Sequence, residues 1–341
     1  MRRSHVLVLS LPLLCISLWG SQLRQVAIID LPGRPGFDQL AFANGMLVIA
    51  HQDADTLDVF SPAKRRIVAR VQGMSDPHGL AVDARTGKIY VANTGANNIA
   101  VVSTKDWKLE RTIALAVEPF ALTLGPDGKR LFIANWRGQS ISAVEVGSDS
   151  TNSAAESGAV TVNLGGSPQQ MVYDPARNVL FVAVQDRNEI VVLDPDLRVS
   201  QRYKLAASQP TGMALDSGAR RLYVAVRSAV LALNADDGRE LGRVAAPPGA
   251  DSLWLDGASG TLYVGSGGGY INLIRTAGGS FVAQDEIRTN VRGHSLAFDP
   301  GRSLIYMPGG REGKSKLLIL RHVPESPENS ASAPQLATNT H

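Results

Sequence analysis

Apolar and polar residues alternate along most of this chain in short runs, broken by Gly, Asn and Asp. Pro77–Leu109, PHGLAVDARTGKIYVANTGANNIAVVSTKDWKL, shows the pattern at its clearest. An apolar strand, Leu80–Val82, leads into a polar turn at Thr86-Gly87. A second strand, Lys88–Ala92, is followed by the polar loop Asn93–Asn97 and a third strand, Asn98–Ser103. Period-two alternation, β-branched enrichment and turn-forming punctuation predict antiparallel strands. No amphipathic stretch is long enough for a substantial helix.

This segment recurs. The Pro-x-Gly-apolar opening at Pro77 returns as PFALTL at Pro119, PQQMVYD at Pro168 and PTGMALD at Pro210. Looser copies begin at Phe37 (FDQLAF), Ala250 (ADSLWLD) and Gly293 (GHSLAFD). The second-strand motif travels with it as MLVIAHQ, KIYVANT, RLFIANW, VLFVAVQ, RLYVAVR, TLYVGSG and SLIYMPG. Seven units spaced by about 40 to 50 residues match the period of four-stranded propeller blades. The expectation is an all-β, seven-bladed β-propeller of four-stranded antiparallel blades over residues 22–322. The last unit lacks a fourth strand, whereas an orphan strand, Gln25–Leu31, precedes the first. That strand is expected to complete the seventh blade and close the ring, removing exposed edges.

The remaining segments carry other signals. Residues 1–21 combine Arg2 and Arg3 with the apolar run Val6–Leu18, too short for a comfortable membrane span, and read as a signal peptide. Retention as an uncleaved anchor is the alternative. Gly147–Gly158 is a polar insertion in the third unit, expected as a loop, and residues 323–341 are expected to be a disordered tail. Without Arg2 and Arg3 the formal charge falls from +3 to +1, so nucleic acid is not an expected partner. The single cysteine, Cys15, lies in the leader. The mature chain then has neither disulfides nor a thiolate metal site, and a monomer without a membrane span is expected.

The string YVANTGANNIAVVST at Tyr90–Thr104 resembles the repeat of the YVTN-type, YncE-like seven-bladed propellers of bacteria. The resemblance extends from Gln25 to about Arg321 and implies the fold and a periplasmic or secreted location. It does not imply a reaction, since propellers host binding scaffolds and several enzyme types.

Function is therefore sought where the ring converges. Residues just before the first strands and just after the second strands share one channel mouth. The first group is Asp38, His78, Phe120, Gln169, Thr211, Asp251 and His294. The second is His51, Asn93, Asn135, Val184, Val226, Ser266 and Gly309. Asp251, His294, Asp38 and His78 fall on four consecutive blades once the ring closes, with His51 in the same sector.

Three readings of that sector stand side by side. Polar groups there satisfy strand ends, or bind a small molecule, or form a chemical centre. In the last case His51, His78, His294, Asp38 and Asp251 suit a divalent metal or acid–base work. Trp136, Arg137, Arg187, Arg227 and Arg311 add an aromatic and cationic tone suited to an acidic ligand. The chain has no Gly-x-Ser-x-Gly elbow, phosphate-binding loop or His-Glu-x-x-His. Lactonase-type propellers hold a divalent cation with Glu, Asn and Asp. Asn93, Asn135 and Asp251 resemble part of such a set, but no glutamate matches. The leading expectation is a binding scaffold for a small molecule or protein partner at the mouth, with a metal-dependent hydrolase or lactonase as the alternative.

Overall fold

The computed structural model describes residues 22–115, 117–146 and 159–323. The leader, the Gly147–Gly158 insertion and the tail from 324 onward lie outside them. The described residues form seven four-stranded antiparallel sheets, each built from consecutive strands except the last. Blade two comprises Pro77–Asp83, Lys88–Asn93, Asn98–Ser103 and Lys108–Ala114. Blade seven takes three strands from the C-terminal side, Ala297–Asp299, Leu304–Arg311 and Lys314–His322, and its fourth, Leu23–Asp30, from the N-terminal side. Leu23 pairs with His322 and Asp30 with Lys316, so the orphan strand closes the ring as the sequence predicts.

The blades pack face to face, and that packing is the core. Seven clusters of buried apolar side chains each lie between adjacent blades. The cluster between blades seven and one contains Phe37, Leu47, Phe60, Tyr306 and Ile319. Second and third strands are covered on both faces, hence their near-continuous apolar runs. Fourth strands are outer edges and alternate, as in Lys108–Ala114, where exposed positions interleave with the half-buried Leu109 and Arg111 and the buried Ile113. Tyr90, Phe132, Phe181, Tyr223, Tyr263 and Tyr306 are fully buried in the second strands. The Phe side chains each contribute about 2–3 kcal/mol relative to exposure, whereas the buried hydroxyls of Tyr223 and Tyr306, unpartnered among the described residues, offset part of the gain from their rings.

One repeated residue proves architectural. Asp83, Asp174, Asp216, Asp256 and Asp299 end first strands. Each accepts a backbone N–H two or three residues onward, at 2.8–3.2 Å. These side chains shape the turns at the end of the channel away from the mouth.

Candidate functional site

First strands enter and second strands leave at the same end of each blade, as the pairs Pro77 with Asn93 and Ala250 with Ser266 show. That end is the channel mouth. Gly79 N donates to Phe120 O at 2.8 Å across blades two and three, and Thr211 Oγ1 donates to Ala250 O at 3.1 Å across blades five and six. The mouth is therefore a rigid, hydrogen-bonded rim.

Two imidazole–carboxylate groups stand on it. His78 Nδ1 lies 2.5 Å from Asp38 Oδ2, and its Nε2 lies 3.2 Å from Asp76 Oδ2. The Gln52 amide nitrogen is 3.0 Å from both ring nitrogens. Burial pulls the His78 pKa down, but hydrogen bonds and charge from Asp38, then Asp76, outweigh it and leave the ring raised above its ordinary value. His294 Nδ1 lies 2.6 Å from Asp251 Oδ2 and its Nε2 3.1 Å from Phe37 O. The hydrogen bond that His294 donates to Asp251 pushes its pKa up to about 9 against the effect of burial, with the Asp251 and Asp38 charges assisting. His294 faces an acceptor at each ring nitrogen, which suits imidazolium, whereas His78 faces two carboxylates and the Gln52 amide donor. Asp38, Asp76 and Asp251 are each engaged through one carboxylate oxygen. Among the described residues the second oxygen of each has no side-chain partner.

An aromatic wall adjoins them. The Phe120 ring centroid lies 4.7 Å from that of His78 and 5.8 Å from that of Trp136. Trp136 is 37% exposed, and the Arg137 guanidinium lies 5.7 Å from its ring centroid. Arg137 also pairs with Glu118 at 3.0 Å. Below the rim, a narrow cavity of about 190 Å³ runs among Gln39, Gln170, Ser252 and Ser295, with Leu40 and Trp254 deeper in.

His51 does not join this group. It is fully buried, with Nδ1 2.8 Å from Asp58 Oδ2 and Nε2 2.7 Å from Arg34 O. Its ring packs 4.2 Å from Phe37, beneath the segment that crosses from the closing strand into blade one. Burial raises the Asp58 carboxyl, but hydrogen bonds from His51 and Arg70 prevail and hold it below the usual range. The structure thus distributes the three histidines over separate pairs. Among the described residues, no group of three or more His, Cys, Asp or Glu side chains is placed to hold a metal ion.

The asparagines likewise have local partners. Asn93 Oδ1 accepts from Ser75 N, and Asn93 Nδ2 donates to Asn98 Oδ1 at 3.0 Å. Asn135 Nδ2 lies 2.9 Å from Ser142 Oγ, and both asparagines are buried within their blades. Arg187 donates to Gly165 O at 2.5 Å. Arg227 is exposed in blade five, and among the described residues no contact joins it to the histidine groups. Arg137 adjoins the aromatic wall, but among the described residues no contact joins Arg137, Arg187, Arg227 and Arg311 into one cluster.

Sequence reasoning missed Asp76, Gln52 and Asp58. Asp76 adjoins Pro77 and has a positive φ of 49°, a turn conformation that Asp tolerates. The Asp-Pro-His string was the available signal.

Comparison with known proteins agrees on architecture. A family model for the NHL repeat matches residues 74–102, which lie in blade two and its approach. No curated protein matches the chain in sequence. Among solved structures, virginiamycin B lyase from Staphylococcus aureus is similar, with a TM-score of 0.71 at 15% identity, covering 88% of this chain and 99% of that one. Hydrazine synthase from Kuenenia stuttgartiensis gives 0.71 at 13% identity over 85% and 96% of the two chains. The Cps50 (Swd1) propeller domain of Myceliophteria thermophila gives 0.70 at 12% identity over 87% and 99%. At such identities the likeness is one of fold. The chain is a seven-bladed β-propeller with an NHL-type repeat in its second blade.

Proposed function

We propose that this is a periplasmic or secreted binding propeller, related to the YncE-like group, whose channel mouth takes a small molecule carrying ammonium or hydroxyl donors. One observation carries the reading. Asp38, Asp76 and Asp251 are braced through single oxygens by His78 and His294 beside the Phe120–Trp136 wall. Half-engaged carboxylates accept hydrogen bonds from a ligand, and an exposed indole offers its face to a cation or a sugar ring. At this wall the Arg137 guanidinium already has Glu118 as a partner, so the reading rests on the carboxylates rather than on the arginines.

The metal-dependent alternative requires His78 or His294 to leave an acceptor at one ring nitrogen before that nitrogen can ligate. Metal analysis of purified protein, with and without His78→Ala plus His294→Ala, tests it directly. The binding reading is tested by tryptophan fluorescence during titration with choline, putrescine and glucose. A saturable change for at least one probe, lost in Trp136→Phe and weakened in Asp38→Asn plus Asp251→Asn, is expected. No saturable response to any of them, or a response that survives both variants, overturns it.

A further inference from the structure

A second concave site lies on the same face, where blade six hands over to blade seven. The chain leaves the outer strand of blade six, Val282–Arg288, and crosses the rim through Thr289–Gly293 before descending as the innermost strand of blade seven. Opposite runs the hairpin Arg311–Lys314, which joins the second and third strands of blade seven. Between them is an open cavity of about 650 Å³, lined by Arg288, Arg292, Arg311, Asn290, Glu312 and the backbone of Gly268. Its volume falls within the range of small-molecule sites.

Charge in this groove is one-sided: three guanidinium groups face a single carboxylate. Arg311 Nε stands 3.5 Å from Glu312 Oε1, and Glu312 is 82% exposed, so that pair is weak and screened. The Arg288 guanidinium lies 5.6 Å from the centroid of the Tyr270 ring, which orients it without consuming its N–H donors. Arg292 is exposed. Among the described residues its side chain has no ion pair or hydrogen bond, and neither has the Asn290 amide.

The backbone holds these arginines together. Arg292 N donates to Gly310 O at 2.8 Å, and Gly310 N donates back to Arg292 O at 2.9 Å, an isolated bridge tying the crossover to the hairpin. Two glycines permit the approach. A Cβ at Gly293 meets Pro308 O at 2.1 Å, and one at Gly309 meets Arg292 O at 2.3 Å. Any side chain at either position pushes the segments apart. Glu312 and Gly313, with φ of 53° and 73°, form the tight turn that keeps Arg311 beside the groove. Gly268 N–H, which has no hydrogen-bond partner among the described residues, adds a backbone donor to the wall.

We infer that this groove is a binding site for a small polyanion, a molecule bearing two or more phosphate or carboxylate groups. Forked guanidinium donors match both anions bidentately. Three cations lining one groove with a single, weakly paired carboxylate leave it net positive, and an entering anion offsets that charge. The site is separate from the histidine–aspartate mouth and does not depend on the reading given to it.

Calorimetric titration of the full chain at low ionic strength, with inorganic pyrophosphate and citrate as probes and monovalent chloride as control, tests the inference. At least one polyanion binds with saturation, and added salt weakens it. Arg292→Gln plus Arg311→Gln reduces its affinity by about tenfold or more. Arg292→Lys plus Arg311→Lys, which keeps charge but loses the fork, falls between. Arg227→Gln, which removes an exposed arginine in blade five, leaves it unchanged. Pyrophosphate alone indicates phosphate chemistry, citrate alone carboxylate chemistry, and both support the shared assignment. If the double variant does not fold, Arg292→Gln alone carries the comparison. Absence of saturable binding by both probes, or binding that the glutamine variants leave intact, overturns it.

Discussion

The His294–Asp251 pair spans the seam of the ring, joining blade six to blade seven and, through Phe37 O, to blade one. Replacing Asp251 with Asn keeps an acceptor for Nδ1 but removes the charge. Raising the imidazole from 6.5 to about 9 corresponds to about 3 kcal/mol, at about 1.4 kcal/mol per pH unit. The ring is 39% exposed and Asp251 33%, so solvent screening reduces the expected contribution to about 1–1.5 kcal/mol. The sign follows from proton binding. The folded state holds the His294 proton more tightly than the unfolded chain, so the contribution is fully present below pH 6.5 and is lost as pH rises through about 9. Urea unfolding of wild type and Asp251→Asn at pH 6 to 10 measures it. The gap is expected to be widest near pH 6, with a melting difference of about 2–4 °C, and to close toward pH 10. A gap that is constant, or grows with pH, refutes the assignment of His294 as a charged clasp.

Other perturbations test different parts of the same frame. Deleting residues 22–31 removes the partner of the Lys314–His322 strand in blade seven and is expected to cost about 5 kcal/mol or more; unchanged denaturant stability contradicts closure by this strand. Asp58→Ala leaves His51 and Arg70 without the buried carboxylate they share. A loss of about 3–5 kcal/mol is expected, and a neutral result in chemical denaturation excludes a bracing role. Burial lowers His322 beside Tyr263, so its contribution is present above pH 6.5 and lost as pH falls below it, opposite in sign to His294. His322→Gln should flatten that acid-side loss in a melting profile. Gly212→Ala drives a Cβ to within 1.8 Å of Asp251 O and should destabilise by several kcal/mol, about 3 or more, which thermal melting reads directly.

The fold was legible because its signal is redundant. Alternation predicts strands, repetition predicts blades, and the orphan strand Gln25–Leu31 has one vacant place to occupy. Side-chain partnership was less legible because it depends on what covers each residue. His51 follows a second strand, as Asn93 does, and phase alone sends both to the mouth. The Leu31–Phe37 crossover then seals His51 beneath Arg34 O and Phe37, a tertiary event that no spacing encodes. Arg292 was equally hidden. Its closeness to Arg311 depends on Gly293 and Gly309 allowing two backbones to touch, and although both glycines sit at the ends of repeat motifs, the motifs do not show which backbone each one meets.

The Pro-x-Gly motif itself now has a physical reading. At Gly79 a Cβ meets Phe120 O at 2.6 Å, and at Gly212 it meets Asp251 O at 1.8 Å, so each glycine admits the backbone of the next blade. Where glycine is absent, the same position answers the crowding with a hydrogen bond. Ser252 Oγ donates to His294 O at 2.9 Å, and Gln39 Oε1 accepts from Leu80 N at 3.0 Å. Inter-blade contact therefore constrains this position at the rim. The residue before it is more varied: Asp38 with His78 and Asp251 with His294 form the same Asp–His contact between successive blades, whereas Phe120, Gln169 and Thr211 fill the other places. A rim braced at one position can hold the neighbouring one still whatever its side chain, and preorganisation of that kind lowers the ordering cost of binding. The two Asp–His contacts and the Phe120 ring make that neighbouring position uneven around the ring, and it is this unevenness, not the glycine contacts, that the proposed ligand would read.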